Sequence, residues 1–322
     1  MCQGFENMPK FISIIDFYSK NVDGMLEKQN YHLLPLKIAE SLGYDTELWI
    51  LNPQHPNATT PPRHFKVKYF NSSLKYLLTL LQNDDAIIYA NARIWKTLIT
   101  CFFGKKTIFM NHTTEIPLRL GDRGILRMFL PQFDIVRAVN QNEKDNLIKM
   151  GVKSHQIKII PHSIDTEFWK NGEQKKEDLV ITVANVRDMK NILVIKKACQ
   201  KANLRLVIVG ENMSNLDVEV MGYKKPEEIR KLLHKAKVYV NSSSSEGMCI
   251  SVYEAIASGL PLCLSNISTF QHLNALFHEP EDSDALCENI KKQIENPLDS
   301  TRGILNLEYD KIVSQMKEMM TL

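Results

Sequence analysis

Two acidic residues and a glycine turn in the segment Tyr239–Ile267 have the types and spacing of a phosphate-binding site. The segment reads YVNSSSSEGMCISVYEAIASGLPLCLSNI, and its apolar runs predict a strand, a serine-rich turn, a helix and a second strand. A glycine-containing turn that opens onto a helix presents unpaired backbone N–H groups and the positive end of the helix dipole, which suits a phosphate. Glu246 would precede this helix and Glu254 would lie a turn inside it, so the two carboxylates would flank a group held at the helix start.

The same residues also have a purely structural interpretation. Ser251 and Glu254 have the spacing of a capping box, in which two side chains hydrogen-bond to the first turn of a helix. Gly259 and Pro261 are typical of an ordinary helix end. Taken alone, the residues leave both interpretations open.

Context favours the functional interpretation, because the segment resembles the signature of the retaining glycosyltransferase family 4, which has the GT-B architecture. That family carries two glutamates separated by seven residues and then an Ala-x-Ala-x-Gly-x-Pro turn, which here correspond to Glu246, Glu254 and the run 255–261. Upstream, LVITVANVRDMKNILVIKKA and LRLVIVGEN resemble successive strands and loops of the family, and IKIIPHSIDTEFW resembles its interdomain segment. The resemblance is strong over residues 155–298 and weaker over residues 1–154.

The resemblance implies a nucleotide-sugar donor, most simply a UDP- or GDP-sugar, bound mainly by the C-terminal domain. Glu254 would take the ribose hydroxyls, and Glu246 would be a catalytic residue near the transferred sugar. Lys190 and Arg187 would neutralise the diphosphate as it departs. The other donor contacts implied by the resemblance are Gly247, the backbone amides of Met248, Cys249 and Ile250, and, beside the base, Gly222 and Tyr223.

Further site residues are implied in the N-terminal half. His112 follows the predicted strand Thr107–Met110, and the ends of strands are where open α/β sheets bind ligands. The family often has a histidine at this place that contacts the donor sugar, so His112 would be catalytic, with Glu115 as a weaker neighbour. Gly24, after the first predicted strand, would match the glycine-rich loop of the family near the phosphates.

The chain departs from the family pattern at three places. Its first loop, NVDGM over residues 21–25, replaces the usual Gly-Gly pair. Asn185 stands where the family has an arginine five residues before the lysine, and Arg187 lies only three residues before Lys190. Cys249 replaces a glycine. Together these departures leave room for a weakened or lost activity.

No metal site and no cofactor are expected. Asp282 and Asp284 have the spacing of the Asp-x-Asp metal site found in the other glycosyltransferase architecture, but they precede a helical pattern, where Asp is a common N-cap. The nine histidines show no spacing typical of metal ligands.

The segment Arg119–Leu130 fits two interpretations, because it interleaves Arg119, Arg123 and Arg127 with large apolar residues. A basic amphipathic helix can lie on an anionic membrane, and lipid-linked acceptors are common in the resembled family. The pattern is more typical of a surface helix whose apolar side packs on its own domain.

The elements that must position these residues are short apolar strands alternating with helical patterns. This alternation is typical of parallel sheets covered on both faces. It restarts after residue 178, and the polar stretch 161–178 has the composition of a linker. The predicted strands are Phe11–Phe17, Glu47–Leu51, Phe65–Phe70, Ala86–Tyr89, Thr107–Met110, Ile135–Val139, Ile157–Ile160, Leu179–Ala184, Leu204–Val209, Val238–Val240 and Leu262–Leu264. The main predicted helices are Tyr31–Leu42, Leu74–Leu81, Ile192–Ala202, Pro226–His234 and Ile250–Ser258.

We therefore expect an α/β fold of the GT-B class, with two Rossmann-like, doubly wound domains facing each other across a cleft. Residues 1–165 would form the acceptor domain and residues 166–304 the donor domain. An amphipathic tail helix, 305–322, would pack back on the acceptor domain.

The composition excludes several other classes of protein. With 322 residues, 44% hydrophobic and 24% charged, the chain can build sizeable cores and is not intrinsically disordered. A net charge of +3 does not fit a polybasic nucleic-acid binder. No apolar run approaches the ~20 residues of a membrane helix, the N-terminus lacks the pattern of a secretory signal, and the six scattered cysteines fit a reducing compartment. We expect a cytoplasmic protein, with the membrane contact of Arg119–Leu130 left open.

The function expected from the sequence is transfer of a sugar, with retained anomeric configuration, from a nucleotide sugar to a glycan, lipid-linked or other hydroxyl acceptor. One alternative is a sugar-nucleotide epimerase, which would need an acid/base pair at the sugar ring, for which the sequence offers only Glu246 and His112. The other is a degenerate member that binds a nucleotide sugar or a partner without turnover.

Overall fold

The computed structural model describes residues 8–18, 32–56, 58–91, 95–111, 120–170, 172, 176–301 and 307–321, with the backbone alone at 120–123. The chain divides into two compact units. The first consists of Met1–Ser163 with Asp310–Leu322, and the second of Ile164–Tyr309. The chain thus leaves the first unit near residue 163 and returns to it with its last helix.

The first unit is built on a parallel sheet that has seven strands in the described residues, in the order β3-β2-β1-β4-β5-β6-β7. The strands are β1 Lys10–Ile15, β2 Asp45–Ile50, β3 Lys66–Tyr69, β4 Ile87–Asn91, β5 Lys106–Met110, β6 Ile135–Ala138 and β7 Ile157–Ile159. Central strands such as β1 and β4 are buried on both faces, which explains their continuous apolar sequences. The strand order reverses between β1 and β4.

Helices cover this sheet, and the last of them comes from the end of the chain. They are α1 Leu34–Ser41, α2 Ser73–Leu81, α3 Trp95–Leu98, α4 Leu120–Phe129, α5 Gln141–Lys149 and α11 Tyr309–Thr321. Helix α11 buries Ile312, Met316, Met319 and Met320. Lys106 Nζ donates hydrogen bonds to the carbonyls of Met319 (2.9 Å) and Met320 (3.3 Å), so β5 holds the last turn of α11.

The second unit contains a parallel sheet with five strands in its described part, in the order β12-β11-β10-β8-β9. The strands are β8 Leu179–Val183, β9 Arg205–Val209, β10 Val238–Asn241, β11 Leu262–Ser265 and β12 Leu276–His278. The helices are α6 Thr166–Trp169, α7 Ile192–Lys201, α8 Pro226–Lys235, α9 Ile250–Ala257 and α10 Ser283–Glu295. The strand order reverses between β8 and β10, as in other doubly wound sheets.

These sheets confirm the expected α/β class with two Rossmann-like parallel sheets. Strands and helices fall within about two residues of most of the predicted bounds, because apolar runs between turn residues mark the buried segments. The short elements α6 and β12 were not predicted. In the described part of the chain, no helix combines the length and the apolar character needed to cross a bilayer.

Candidate functional site

The acidic and basic residues singled out from the sequence meet at the carboxyl ends of β8 and β10. Open parallel sheets bind ligands at this edge, at the point where the strand order reverses. The loop after β8 carries Arg187 and Lys190, and the loop after β10 carries Glu246 and leads into α9. The sheet thus brings together two loops that are 56 residues apart in the chain.

Glu246 is held through one of its two carboxylate oxygens. Its Oε1 accepts hydrogen bonds from Lys190 Nζ (2.5 Å), Ser243 Oγ (2.7 Å) and Asn241 Nδ2 (3.3 Å). None of the described residues donates to Oε2, and the side chain is only 10% exposed. The side chain of Glu246 is therefore held in place through Oε1, and its Oε2 has no donor among the described residues.

The cations of the site have different surroundings. Burial lowers the pKa of Lys190, but neighbouring Cys249 and Glu246 raise it, and the balance is a raised pKa. Lys190 is therefore a stable buried cation. The side chain of Arg187 is exposed, with Nε 3.3 Å from Met213 Sδ, so it can reach a ligand at little cost in lost contacts.

The start of α9 has no side-chain cap from its N-cap residue. That residue is Cys249, with φ 56° in the left-handed region; its Sγ lies 3.6 Å from Ser251 Oγ and makes no capping hydrogen bond with a backbone amide of α9 in the described residues. The first N–H groups of a helix have no partner within the helix, so the amides at this end face outward. The glycine that the resembled family has here would adopt this conformation without strain, and Cys249 keeps the conformation with a side chain attached.

The capping-box interpretation is wrong. Ser251 lies inside α9 rather than at its N-cap, and its Oγ accepts a hydrogen bond from Tyr239 Oη at 2.9 Å. No described residue hydrogen-bonds to the carboxyl group of Glu254, which is 9% exposed. Burial raises the pKa of Glu254 to about 8. A buried carboxyl group without a partner is unfavourable to ionise, and it is the kind of group that a hydroxyl-bearing ligand would satisfy.

Hydrogen bonds that the sequence did not reveal tie the loop after β10 to the loop after β8 and to the segment after β11. Asn191 Nδ2 donates to the carbonyl of Ser242 (3.0 Å), and the amide of Ser244 donates to the carbonyl of Met189 (2.9 Å). Thr269 Oγ1 donates to the carbonyl of Glu246 (2.8 Å). The sequence signal for the contacts of Asn191 and Ser244 was the occurrence of Asn and Ser after strand ends. These contacts give part of the serine run 242–245 a structural role.

Gly222 and Tyr223 lie beside the carboxyl end of β9. The amide of Gly210 donates to the carbonyl of Gly222 at 3.1 Å, and a Cβ on Gly210 would lie 2.3 Å from the carbonyl oxygen of Ala184. Only glycine allows this approach. Tyr223 is 42% exposed, which leaves much of its surface accessible from solution.

Asn185, which replaces the family's arginine, has a structural role in this structure. Its Oδ1 accepts a hydrogen bond from the amide of Glu211 at 3.0 Å and ties the loop after β8 to the loop after β9. The basic residues that remain in this loop are Arg187 and Lys190.

Several predicted residues lie outside the described residues, namely His112, Gly24, Glu115 and Arg119. In the described part of the chain, no three His, Cys, Asp or Glu side chains are grouped to hold a metal ion. Asp282 Oδ1 accepts hydrogen bonds from the amides of Asp284 and Ala285, which confirms that it caps α10. Asp284 itself pairs with Lys201.

Two family models match adjacent stretches of the chain. The model described as Glycosyl transferases group 1 matches residues 163–306, and the model described as Glycosyltransferase Family 4 matches residues 38–168. Solved structures superpose on almost the whole chain. Sucrose-phosphate synthase from Thermosynechococcus elongatus superposes with a TM-score of 0.73 at 16% identity, covering 97% of this chain and 98% of that one. Anabaena HepE in complex with UDP and glucose superposes with a TM-score of 0.76 at 13% identity, covering 97% and 99%.

The chain has the GT-B fold of these glycosyltransferase structures. Among curated proteins, this GT-B chain is similar to one of the subunits of phosphatidylinositol N-acetylglucosaminyltransferase. The Arabidopsis thaliana protein is 24% identical over 182 residues, or 49% of this chain and 41% of that protein. The Homo sapiens protein is 20% identical over 219 residues, or 59% and 45%. The matches span less than half of the length of these relatives.

Proposed function

We propose that this GT-B chain is a retaining, metal-independent hexosyltransferase of family 4 that moves a sugar from a nucleotide sugar to a hydroxyl acceptor. The observation that carries the proposal is the grouping of Glu246 and Lys190 at the start of α9 with Glu254 inside the same helix, whose carboxyl group has no hydrogen-bond donor among the described residues. This grouping lies where the strand order of the second sheet reverses.

The proposed donor contacts follow from the geometry of this site. Glu254 would accept hydrogen bonds from the ribose hydroxyls, which would supply the partners that its carboxyl group lacks. The turn at Gly247 and the backbone amides of Met248, Cys249 and Ile250 would meet the diphosphate or sugar oxygens at the positive end of α9. Gly222 and Tyr223 would border the base, as the family resemblance implies.

In the proposed reaction, the bond between the anomeric carbon and the diphosphate breaks, and the acceptor oxygen bonds to the same face of that carbon. The acceptor hydroxyl gives its proton to the departing diphosphate, so no protein nucleophile is required. Lys190 and Arg187 would stabilise the charge that grows on the diphosphate. Glu246, through Oε2, would hold the transferred sugar, and the role of His112 at that sugar and of Gly24 at the phosphates rests on the resemblance alone.

The compared proteins suggest which donor and acceptor to test first. The HepE structures are complexes with UDP, with UDP and glucose, and with UDP-glucose. The curated relatives are named as phosphatidylinositol N-acetylglucosaminyltransferase subunits. We therefore propose a UDP-sugar, with UDP-N-acetylglucosamine first, and an acceptor hydroxyl that belongs to a lipid-linked headgroup or a glycan.

A lipid-linked acceptor would require this chain to contact a membrane. Helix α4 carries an exposed apolar patch that could make this contact. Leu126 and Leu130 are buried in the core of the first unit, whereas Ile125 and Met128 are 42% and 60% exposed. Phe102, 64% exposed, continues this apolar patch, since its ring lies 5.9 Å from that of Phe129. Together with the exposed Arg127, the patch is proposed to lie on an anionic membrane at the cytoplasmic side.

A binding screen tests the donor assignment. Thermal unfolding would be followed with UDP-, GDP-, ADP- and dTDP-sugars, and a donor at 100 times its dissociation constant should stabilise the chain by about 2.7 kcal/mol. The stabilisation should shrink in Glu254→Gln and persist in Glu295→Gln, an exposed glutamate at the end of α10. Absence of any shift with all four donor classes would contradict the assignment.

A protein that binds the donor without turnover is the second candidate. It is favoured by Asn185, whose side chain is engaged with the amide of Glu211 and supplies no charge to a leaving diphosphate. Donor-dependent stabilisation without release of the nucleoside diphosphate would support this candidate, and release of the diphosphate would remove it. Release of an epimerised nucleotide sugar would instead identify an epimerase.

A further inference from the structure

Two fully buried polar residues, Ser242 and His278, pair at the base of the loop that carries Glu246. Ser242 Oγ and His278 Nε2 lie 2.7 Å apart, and the two residues are 1% and 3% exposed. Ser242 directly follows β10, and His278 is the last residue of β12. Burying a hydroxyl and an imidazole costs free energy that two apolar side chains would not cost, so core packing alone does not account for the pair.

Ser242 is connected to both charged residues of the site, Glu246 and Lys190. Its carbonyl accepts a hydrogen bond from Asn191 Nδ2 at 3.0 Å, and Asn191 directly follows Lys190 in the chain. The next residue, Ser243, donates from Oγ to Glu246 Oε1 at 2.7 Å. A displacement of Ser242 would therefore move both the loop after β8 and the carboxylate of Glu246.

His278 is itself fixed by the neighbouring strand β11. It lies in register with Ser265, and its carbonyl accepts a hydrogen bond from the amide of Asn266 at 2.7 Å. Ser265 Oγ donates to the carbonyl of Ser243 at 2.6 Å. Strands β11 and β12 therefore hold two successive residues of the serine run, Ser242 by its side chain and Ser243 by its carbonyl.

The ring of His278 suits this contact because it is neutral near pH 7. Burial lowers the pKa of His278 to about 4, although the carboxylates of Asp282 and Glu279 act in the opposite direction. A neutral imidazole can still hydrogen-bond to a hydroxyl through Nε2. The ring therefore holds Ser242 without adding a positive charge to the site, and it does so over the whole pH range in which the site would work.

We propose that Ser242 and His278 are positioning residues for the transfer reaction, which hold the carboxylate of Glu246 and the loop of Lys190 in their relative places. They act through the residues that they anchor. This role rests on the transferase function proposed above, in which Glu246 acts on the sugar rather than on the nucleotide. Loss of the pair should therefore slow turnover and leave the affinity for the nucleoside diphosphate nearly unchanged.

The test measures two quantities on the full chain, the affinity for UDP and GDP by calorimetry and the release of nucleoside diphosphate from UDP- and GDP-sugars. Ser242→Ala and His278→Leu should each slow release at least about tenfold and change the affinity less than about threefold. The double variant should be no slower than the slower single variant, because both substitutions remove the same contact. His278→Gln should recover most of the rate, since its amide can occupy the position of the ring Nε2. His155→Leu, at an exposed histidine of the first unit, is the matched control and should change neither quantity.

The outcomes separate the positioning role from the proposed function. Slower release at nearly unchanged affinity, with the rate recovered in His278→Gln, supports positioning by the pair. Wild-type rates in both single variants, or parallel losses of rate and affinity, overturn it and leave the transferase function intact. Additive losses in the double variant also overturn it, because Ser242 and His278 would then act separately. No release from any donor by the wild type overturns the transferase function and the positioning role with it.

Discussion

Glu254 shows how burial changes the protonation of a single residue. Its carboxyl group has no hydrogen-bond donor among the described residues, and its pKa is raised to about 8 by burial. Near neutral pH the group is therefore protonated in the free protein. If ribose hydroxyls donate to it, they stabilise the carboxylate form, so binding of UDP should release a proton and strengthen as the pH rises from 6 to 8.

The raised pKa of Glu254 also predicts a pH dependence of stability. Between its ordinary pKa of 4.5 and about 8, the unfolded chain is ionised at this residue while the folded chain stays protonated. The free energy of unfolding should therefore fall as the pH rises through this window, by up to about 1.4 kcal/mol per pH unit. Urea unfolding of the wild type and of Glu254→Gln at pH 5, 6, 7 and 8 measures the difference. Identical pH slopes in the two proteins would contradict the account, and Glu295→Gln provides the exposed control.

The site residues differ in how far the sequence could reveal them. Glu246 and Glu254 could be selected because their spacing is local and repeats a known signature. The pairing of Lys190 with Glu246 spans 56 residues, and the contacts of Asn191 and Thr269 depend on how two loops meet, which no local pattern encodes. The capping-box alternative failed because the N-cap of α9 is Cys249, so Ser251 lies inside the helix although its spacing from Glu254 fits a capping box.

At the scale of elements, the buried strands were predictable and the small edge elements were not. Strands β1 and β10 are buried along almost their whole length, so their apolar runs stand out from the turns that flank them. Strand β12 has three residues, Leu276–His278, and two of them are only half-buried. So short a segment has no measurable periodicity, and the neighbouring strand β11 determines it instead.

Two glycines in the second unit should differ in how strongly their replacement by alanine destabilises the chain. Gly210→Ala would drive its Cβ to 2.3 Å from the carbonyl oxygen of Ala184, which is backbone and cannot move aside, whereas Gly222 has no atom within 4 Å of an added Cβ. We expect Gly210→Ala to lower the free energy of unfolding by at least about 3 kcal/mol, and Gly222→Ala by about 1 kcal/mol from its left-handed backbone alone. Urea titrations of both variants measure the values. Equal losses would show that the loops after β8 and β9 do not approach as described.

The exposed side of α4 carries a prediction about membranes. The double substitution Ile125→Glu and Met128→Glu should reduce binding to phosphatidylserine-containing vesicles at least about tenfold, because it replaces apolar contact by charge repulsion. Co-sedimentation measures the effect, and binding by the wild type should weaken with salt because Arg127 contributes. Leu74→Glu alters another highly exposed residue, on α2, and is the matched control. Unchanged binding in the double variant would remove the proposed contact.

At the scale of the whole molecule, the chain crosses from the first unit to the second and returns. Helix α11 adds Ile312, Met316 and Met319 to the buried residues of the first unit, and Lys106 caps its last turn. The amphipathic pattern of the tail could be read from the sequence, because its apolar residues recur at helical spacing. The capping contact with β5 could not, since it joins residues 213 positions apart.

Because α11 packs in the first unit, a destabilising substitution in this helix should affect the first unit and not the second. Met316→Ala should destabilise the first unit by about 2–5 kcal/mol, because a fully buried methionine leaves a cavity. Hydrogen exchange should show faster exchange in β5 and β6 and unchanged protection in β8 and β10. Met213→Ala, at a 47% exposed methionine of the second unit, should leave the first unit unaffected. Equal acceleration in both sheets would contradict the assignment of α11 to the first unit.

The central claim concerns the whole molecule as a transferase that uses the site around Glu246. The most direct measurement is the release of nucleoside diphosphate from a panel of UDP- and GDP-sugars by the wild type, by Glu246→Gln and by the control Asp85→Asn. Asp85 is an exposed aspartate just before β4 in the first unit. We predict slow release from at least one donor by the wild type and by Asp85→Asn. In Glu246→Gln the rate should fall at least about a hundredfold, with UDP affinity changed only a few-fold, because the group acts on the sugar rather than on the nucleotide. Release by Glu246→Gln at the wild-type rate, or no release from any donor by the wild type, would contradict the account.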